Sequence, residues 1–270
     1  MSRNDKAFPF DQIAQTYAQF RYPNEKLIEH IFKRVRYANN ILEVGCGPAD
    51  YLSILSELLN ARGYGFDISQ NMIKEARQKN PSLELIVGDA QEPFPYGDNS
   101  FDFVFNINLV HYLSELDTLF RESYRVLTYD GNVLTVTDSC QDIEDRTLTH
   151  YFPEGLEIDR KRYPGNSAIM NAMKRAGFEG IYTTKVKTNF EFKNQHYEQY
   201  REKAYSALRL ISDEAFERGM KRIENDMAGG LVIGKKSYTQ IWGIKVERRE
   251  FDLPTRSEER RVGKECRSRW

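Results

Sequence analysis

The chain has 270 residues, 40% hydrophobic and 13% aromatic, which is ample for a packed core. Its 39 Lys/Arg and 40 Asp/Glu nearly cancel, and three scattered cysteines, Cys46, Cys140 and Cys266, exclude a disulfide framework or a thiolate metal site. The first ten residues carry charges and a proline instead of an apolar leader, and nowhere do about 18 uncharged apolar residues run together, so a cytoplasmic protein with no membrane partner is expected.

Two amphipathic helices are predicted first, at 9–19 and 24–36, the second with Leu27, Ile28, Ile31 and Phe32 at helical spacing. From Ile41 the pattern changes to short apolar strands alternating with helices, the signature of a parallel sheet covered on both faces. Strands are predicted at 41–44, 63–66, 83–87, 101–106 and 132–137, with helices at 51–59, 70–78 and 115–126, the last two N-capped by Ser69 and Ser114. The rhythm then breaks for about thirty residues rich in aromatics, charges and proline, which are read as irregular. A helix at 167–175, a strand at 180–186, a helical segment at about 195–227 and a last strand at 238–246 complete the chain. Within that helical segment Ser212 is an N-cap, and Phe216, Met220, Ile223 and Met227 form one apolar stripe, read as core packing.

The fold expected is therefore α/β, a Rossmann-like, seven-stranded, mostly parallel sheet with helices on both faces. Residues 1–255 read as a single domain, with an N-terminal helical cap at 1–38, a ligand-binding core at 41–138 and substrate-side insertions at 139–166 and 195–230, the second being a helical insertion before the last strand. Residues 256–270 have no apolar period, hold five arginines and resemble an in-frame translation of a sequencing-adaptor oligonucleotide, so they are set apart from the fold. Without them the chain has 33 basic against 37 acidic residues, a net charge of −4, and offers no electrostatic footprint for nucleic acid.

Chemistry concentrates at three strand ends. The run 41–50, ILEVGCGPAD, is a strand entering a glycine turn and then a helix; Asp50 stands where a dinucleotide fingerprint needs its third glycine. Asp67, 22 residues beyond Gly45, ends the second strand, where a carboxylate can accept both hydroxyl protons of an adenosine ribose. Asp89 follows the third strand and suits an exocyclic adenine amine.

In order and spacing, ILEVGCG, GFDIS with Met72, VGDAQEPFP, SFDFVFNINLVHYL and RVLTYDGNVLTVTD resemble the successive motifs of class I S-adenosylmethionine-dependent methyltransferases of the type 11 kind, over about 41–138. The segment around Phe10–Ala14, with Tyr17, Arg21, Tyr22 and Pro23, is similar to the N-terminal helices of the broad group that includes the trans-aconitate enzymes. The resemblance implies S-adenosyl-L-methionine as cofactor and a small molecule as methyl acceptor. It places Gly45, Cys46 and Gly47 along the methionine part, Asp67 on the ribose, Ile68 and Met72 beside the adenine, Asp89 and Ala90 at its amine edge, and Asn106 on the sulfonium side. Arg21 and Tyr17 suit the cofactor's carboxylate.

Methyl transfer from a sulfonium is an in-line displacement, and a base is needed only when the accepting atom carries a proton. His111, five residues beyond Asn106, is the candidate base. Substrate contacts are expected from the two insertions, which carry His150, Tyr151, Arg162 and Tyr163, then His196, Tyr197, Tyr200 and Arg201; Tyr151, Arg162, Tyr197 and Arg201 are singled out, the arginines because they would favour an anionic substrate. The four histidines lack paired ligand spacing, so no metal is expected. Two alternatives stay open from sequence: a cofactor-binding protein without catalysis, and a nicotinamide-dependent oxidoreductase.

Overall fold

The computed structural model describes residues 9–247. The expected tail at 256–270 lies outside them, as do the first eight residues and the end of the proposed domain. A seven-stranded sheet runs in the order β3-β2-β1-β4-β5-β7-β6. Its strands are β1 (Asn40–Val44), β2 (Arg62–Asp67), β3 (Glu84–Val87), β4 (Phe101–Ile107), β5 (Leu127–Thr137), β6 (Glu179–Glu191) and β7 (Ile233–Ile244). Strands β1 to β5 pair in parallel, and β7 is antiparallel to both of its neighbours.

Period-2 alternation divides the strands between two apolar faces. Ile41, Phe103, Phe105, Leu134 and Trp242 pack with Leu27 and Ile31 of α2 (Glu25–Val35) and Leu52 and Leu55 of α3 (Asp50–Leu59). Leu42, Val44, Val104 and Val133 face the other way, onto Leu119 and Phe120 of α5 (Asp117–Val126) and Ile169 and Met173 of α9 (Asn166–Ala176). Both faces are covered, so a parallel sheet is stable here. Strand order reverses between β1 and β4, which opens a crevice at their carboxyl ends.

That crevice is roofed from two sides. Helix α1 (Phe10–Phe20) packs Ile13 and Ala14 onto Met72 of α4 (Gln70–Lys79), and Asp11 Oδ1 accepts hydrogen bonds from Ser69 Oγ at 2.6 Å and Asn71 N at 3.1 Å. The second cover has its own small core: Leu148 and Phe152, Tyr200, and the stripe Phe216, Met220 and Ile223 with Met227 against it. Among the described residues no helix is long and apolar enough to cross a membrane.

Several local readings change. Residues 139–166, read as irregular, hold three short helices, α6 (Cys140–Asp145), α7 (Thr147–Tyr151) and α8 (Glu154–Arg162), each with too few turns to display a hydrophobic period. The segment 195–227 is broken into α10 (Asn194–Arg201), a 3-10 turn at Ser206–Arg209 and α11 (Asp213–Gly229), with Lys203 at φ 48. Ser69 and Ser212 cap α4 and α11, accepting from Met72 N and Ala215 N. Ser114 does not cap α5: the Glu115 carboxylate takes the free amides of Asp117 and Thr118, while Ser114 binds Gln91.

Candidate active site

The glycine turn after β1 is a left-handed path, with Gly45 at φ +69 and Gly47 at φ +52. A Cβ on Gly45 would come 2.7 Å from Leu109 Cδ1, displacing that side chain, and the left-handed φ by itself favours glycine. The amides of Gly45 and Cys46 donate to Phe66 O, and Gly47 N donates to Asp67 Oδ2 at 2.9 Å. Ser69 N donates to Asp67 Oδ1, also at 2.9 Å. The strand-end carboxylate is thus fixed by one backbone amide per oxygen, with a second acceptor site left on each. Burial raises its pKa above the usual carboxylate value, and the amides of Ser69 and Gly47 oppose that rise.

A cavity of about 850 Å3 extends from this point along the carboxyl edge of the sheet. Gly45, Gly47, Asp67, Ile68, Met72, Asp89 and Ala90 line it, as do Tyr17 and Arg21 from α1 and its C-terminal end. Asp89 Oδ1 accepts from Gln91 N at 2.9 Å, which orders the turn after β3. Nine of the positions read from sequence for the cofactor therefore converge. Cys46 does not reach the main cavity; it borders a small adjoining recess of about 60 Å3, with burial followed by Asp67 and Glu43 pushing its thiol pKa up. Asn106 does not line the cavity either: it stands opposite Thr135 in register and gives its amide to that hydroxyl at 3.0 Å, buried on the sheet face. Asn108, two residues on at φ 56, lines the cavity instead.

His111 sits in a 3-10 turn at Val110–Tyr112 just beyond β4 and lines the cavity. Its ring stacks on Tyr163 with centroids 4.0 Å apart, and Nδ1 is buried without a hydrogen-bond partner. Burial, then Arg162, Arg146 and Arg21, hold its pKa well below the ordinary histidine value, so the ring is neutral at physiological pH.

The substrate positions separate. Tyr151 is turned away, donating to Asp226 Oδ2 at 3.0 Å beside a different cleft. Tyr197 donates to Glu224 Oε1 at 2.7 Å, and Arg201 is exposed and paired with Glu198 and Glu202. None of these three lines the cavity, because the phase of α7 and α10 directs them to α11 or outward. Arg162 stands behind the wall, bonded to Asp159 and to Ser206 Oγ at 3.1 Å. From the same two insertions it is Tyr163 and Tyr200 that line the cavity.

Sequence reading missed Asp138, Arg146, Asp159, Tyr205 and Lys236, all in the wall. Arg146 pairs with Asp138 Oδ2 at 3.0 Å and with Asp159, whose other oxygen holds Arg162. Asp138 directly follows β5, much as Asp67 ends β2, a signal that sequence does offer; Arg146 and Lys236 carry no motif.

A glycine turn tied to a strand-end acid, at the switch point of a doubly wound sheet, defines a nucleoside-binding Rossmann-like domain. Comparison with known proteins narrows the class. Residues 42–135 match the family model of a methyltransferase domain. Demethylmenaquinone methyltransferases of Listeria welshimeri and Listeria monocytogenes are 31% and 37% identical to the chain over 178 residues, which is 55% of this chain and 73% of theirs. Among solved structures, a methyltransferase assigned to an antibiotic biosynthesis pathway of Anabaena variabilis superposes with a TM-score of 0.66 at 20% identity, over 83% of this chain and 99% of that one. Phosphoethanolamine N-methyltransferase 2 of Haemonchus contortus, solved with S-adenosyl-L-methionine, gives 0.58 at 21% identity, over 88% of this chain and 57% of that one. The chain belongs to the class I S-adenosylmethionine-dependent methyltransferases. Its cofactor is S-adenosyl-L-methionine, from which it transfers a methyl group to a small-molecule acceptor.

Proposed function

We propose that the cavity holds the cofactor along its glycine-turn side and the acceptor under the α7, α8 and α10 cover, with His111 between them. The observation that carries this reading is the Asp67 carboxylate, oriented by Gly47 N and Ser69 N and still able to accept two more hydrogen bonds at the cavity wall. Asp67 binds the ribose hydroxyls, Ile68 and Met72 flank the adenine, and Asp89 with Ala90 meets its amine edge. Gly45 and Gly47 admit the methionine part, whose carboxylate goes to Arg21 and Tyr17. When bound, the cofactor supplies a methyl group on a positively charged sulfur. The chain's own part is to orient the acceptor in line, exclude water with α1 and the second cover, and take up the acceptor's proton at His111 where it has one. His111 is neutral and so able to accept a proton, as a weak base because burial lowers its pKa.

The division into a cap at 1–38, a core at 41–138 and covers at 139–166 and 195–230, within one unit at 1–255, is part of the proposal; α1, α7, α8 and α10, which line the crevice, support it. So is a cytoplasmic location, supported by the free thiols of Cys46 and Cys140. A partner other than nucleic acid follows from the acidic body. Calorimetry with S-adenosylhomocysteine tests the site: micromolar binding that weakens in Arg21→Met supports it, and undetectable binding to purified protein removes it. Tritiated methyl transfer into a small-metabolite extract then tests the turnover assigned to His111.

A further inference from the structure

The cations of the cavity wall are unevenly matched to its carboxylates. Asp138, Arg146, Asp159 and Arg162 form a linear chain of two acids and two arginines. Arg21 and Lys236 stand outside it. Arg21 lies over the rings of Tyr17 and Tyr205 at 5.3 and 4.5 Å, and Lys236 over those of Tyr238 and Tyr205 at 4.6 and 5.7 Å. Among the described residues neither has a carboxylate within ion-pair distance, although both line the cavity. Uncompensated charge in a partly dry site is costly unless a ligand neutralises it.

Resting on the reading above, the cofactor's single carboxylate accounts for one of these cations. Arg21 takes it, because Tyr17, whose ring Arg21 covers, lies against Gly47 of the glycine turn. Lys236 is left over, in a chamber that also faces a sulfonium. We propose that the methyl acceptor is a small anion, and that Lys236, beside the Arg146 guanidinium and the Tyr205 ring, binds its carboxylate or phosphate group. Burial, together with Arg21 and Arg146 against the pull of Asp138, brings the Lys236 pKa down to about 7, so near neutral pH the amine is only part protonated and an arriving anion draws it to the ammonium form. A cationic amine without an acidic group is disfavoured in the same chamber.

The test uses the full chain saturated with S-adenosylhomocysteine, titrated calorimetrically with inorganic phosphate, benzoate and, as neutral control, benzyl alcohol. At least one anion is expected to bind ten or more times more tightly than benzyl alcohol. Lys236→Met should weaken that anion at least tenfold, Lys236→Arg should restore it, and both variants should bind S-adenosylhomocysteine within threefold of the parent. Phosphate binding without benzoate identifies a phosphorylated acceptor; the reverse identifies a carboxylate. Lys236→Met should also melt no lower than the parent, since it removes an uncompensated charge. Absence of anion binding to the loaded parent, equal anion binding by Lys236→Met, or a clearly lower melting temperature for that variant overturns the inference. Failure of the parent to bind S-adenosylhomocysteine removes the reading beneath it instead.

Discussion

Replacing Asp67 by asparagine isolates the charge at the centre of the site, because shape is kept while one acceptor oxygen becomes a donor. In the parent each carboxylate oxygen already accepts one backbone amide at 2.9 Å, from Gly47 and from Ser69. Either orientation of the new amide therefore points an N–H at a backbone N–H. That conflict is present with and without ligand, so it lowers stability, by about 1–3 kcal/mol for a buried polar group left unpaired. The cofactor additionally loses a hydrogen bond to a charged acceptor, about 1.5–3 kcal/mol, or roughly 10- to 150-fold in affinity. Isothermal titration with S-adenosylhomocysteine at pH 7.5 measures this directly, and a urea melt separates the stability effect. The pH dependence has a definite sign. Burial raises the Asp67 pKa, so protonation on acidification removes the carboxylate from the parent but has no counterpart in Asp67→Asn. The affinity gap should be full at neutral pH and close as pH falls through the raised carboxyl pKa. An affinity within threefold of the parent at pH 7.5 would refute the role given to Asp67.

Other perturbations reach different parts of the structure. His111→Gln should lower kcat by about 10²- to 10⁴-fold for an acceptor that must lose a proton, with S-adenosylhomocysteine affinity unchanged. Because the His111 pKa is held well below 6.5 by burial and three arginines, the parent's kcat/KM should show no His111-dependent loss between pH 8 and 6.5; an acid limb at or above 6.5 that vanishes in His111→Gln contradicts this. Arg146→Met leaves buried Asp138 without its partner and should cost about 3–5 kcal/mol at pH 7.5 by denaturant unfolding. Burial already raises the Asp138 pKa, so that deficit should shrink as pH falls and the acid is neutralised; a deficit independent of pH argues against the ion chain. Gly219→Ala in α11 tests the packing of the second cover. Helix propensity favours alanine by about 1 kcal/mol, but the new Cβ would stand 2.2 Å from the Phe152 ring, and overpacking of about 1–3 kcal/mol should prevail. A raised melting temperature would show that Phe152 yields.

Sequence alone determined the features set by neighbours along the chain. The glycine turn at Gly45–Gly47, the strand-end acids Asp67 and Asp89, and the caps Ser69 and Ser212 each depend on a few consecutive residues, so their patterns are readable before folding. The strands of the parallel core were equally legible, because burial on both faces demands short apolar runs. Only the tertiary structure decided what those runs bring together. The side of β4 on which Asn106 falls, and its bond to Thr135, are fixed by pairing with β5. The choice of Tyr163 and Tyr200 over Tyr151, Tyr197 and Arg201 depends on how short helices of weak periodicity dock against α11. The surplus charge of Lys236 exists only as a relation to Asp138, Arg146 and Arg21, residues between about ninety and more than two hundred positions away in the chain. A carboxylate's place at a strand end is a local property, whereas neutralisation inside a cavity is a sum over everything that folding gathers around it.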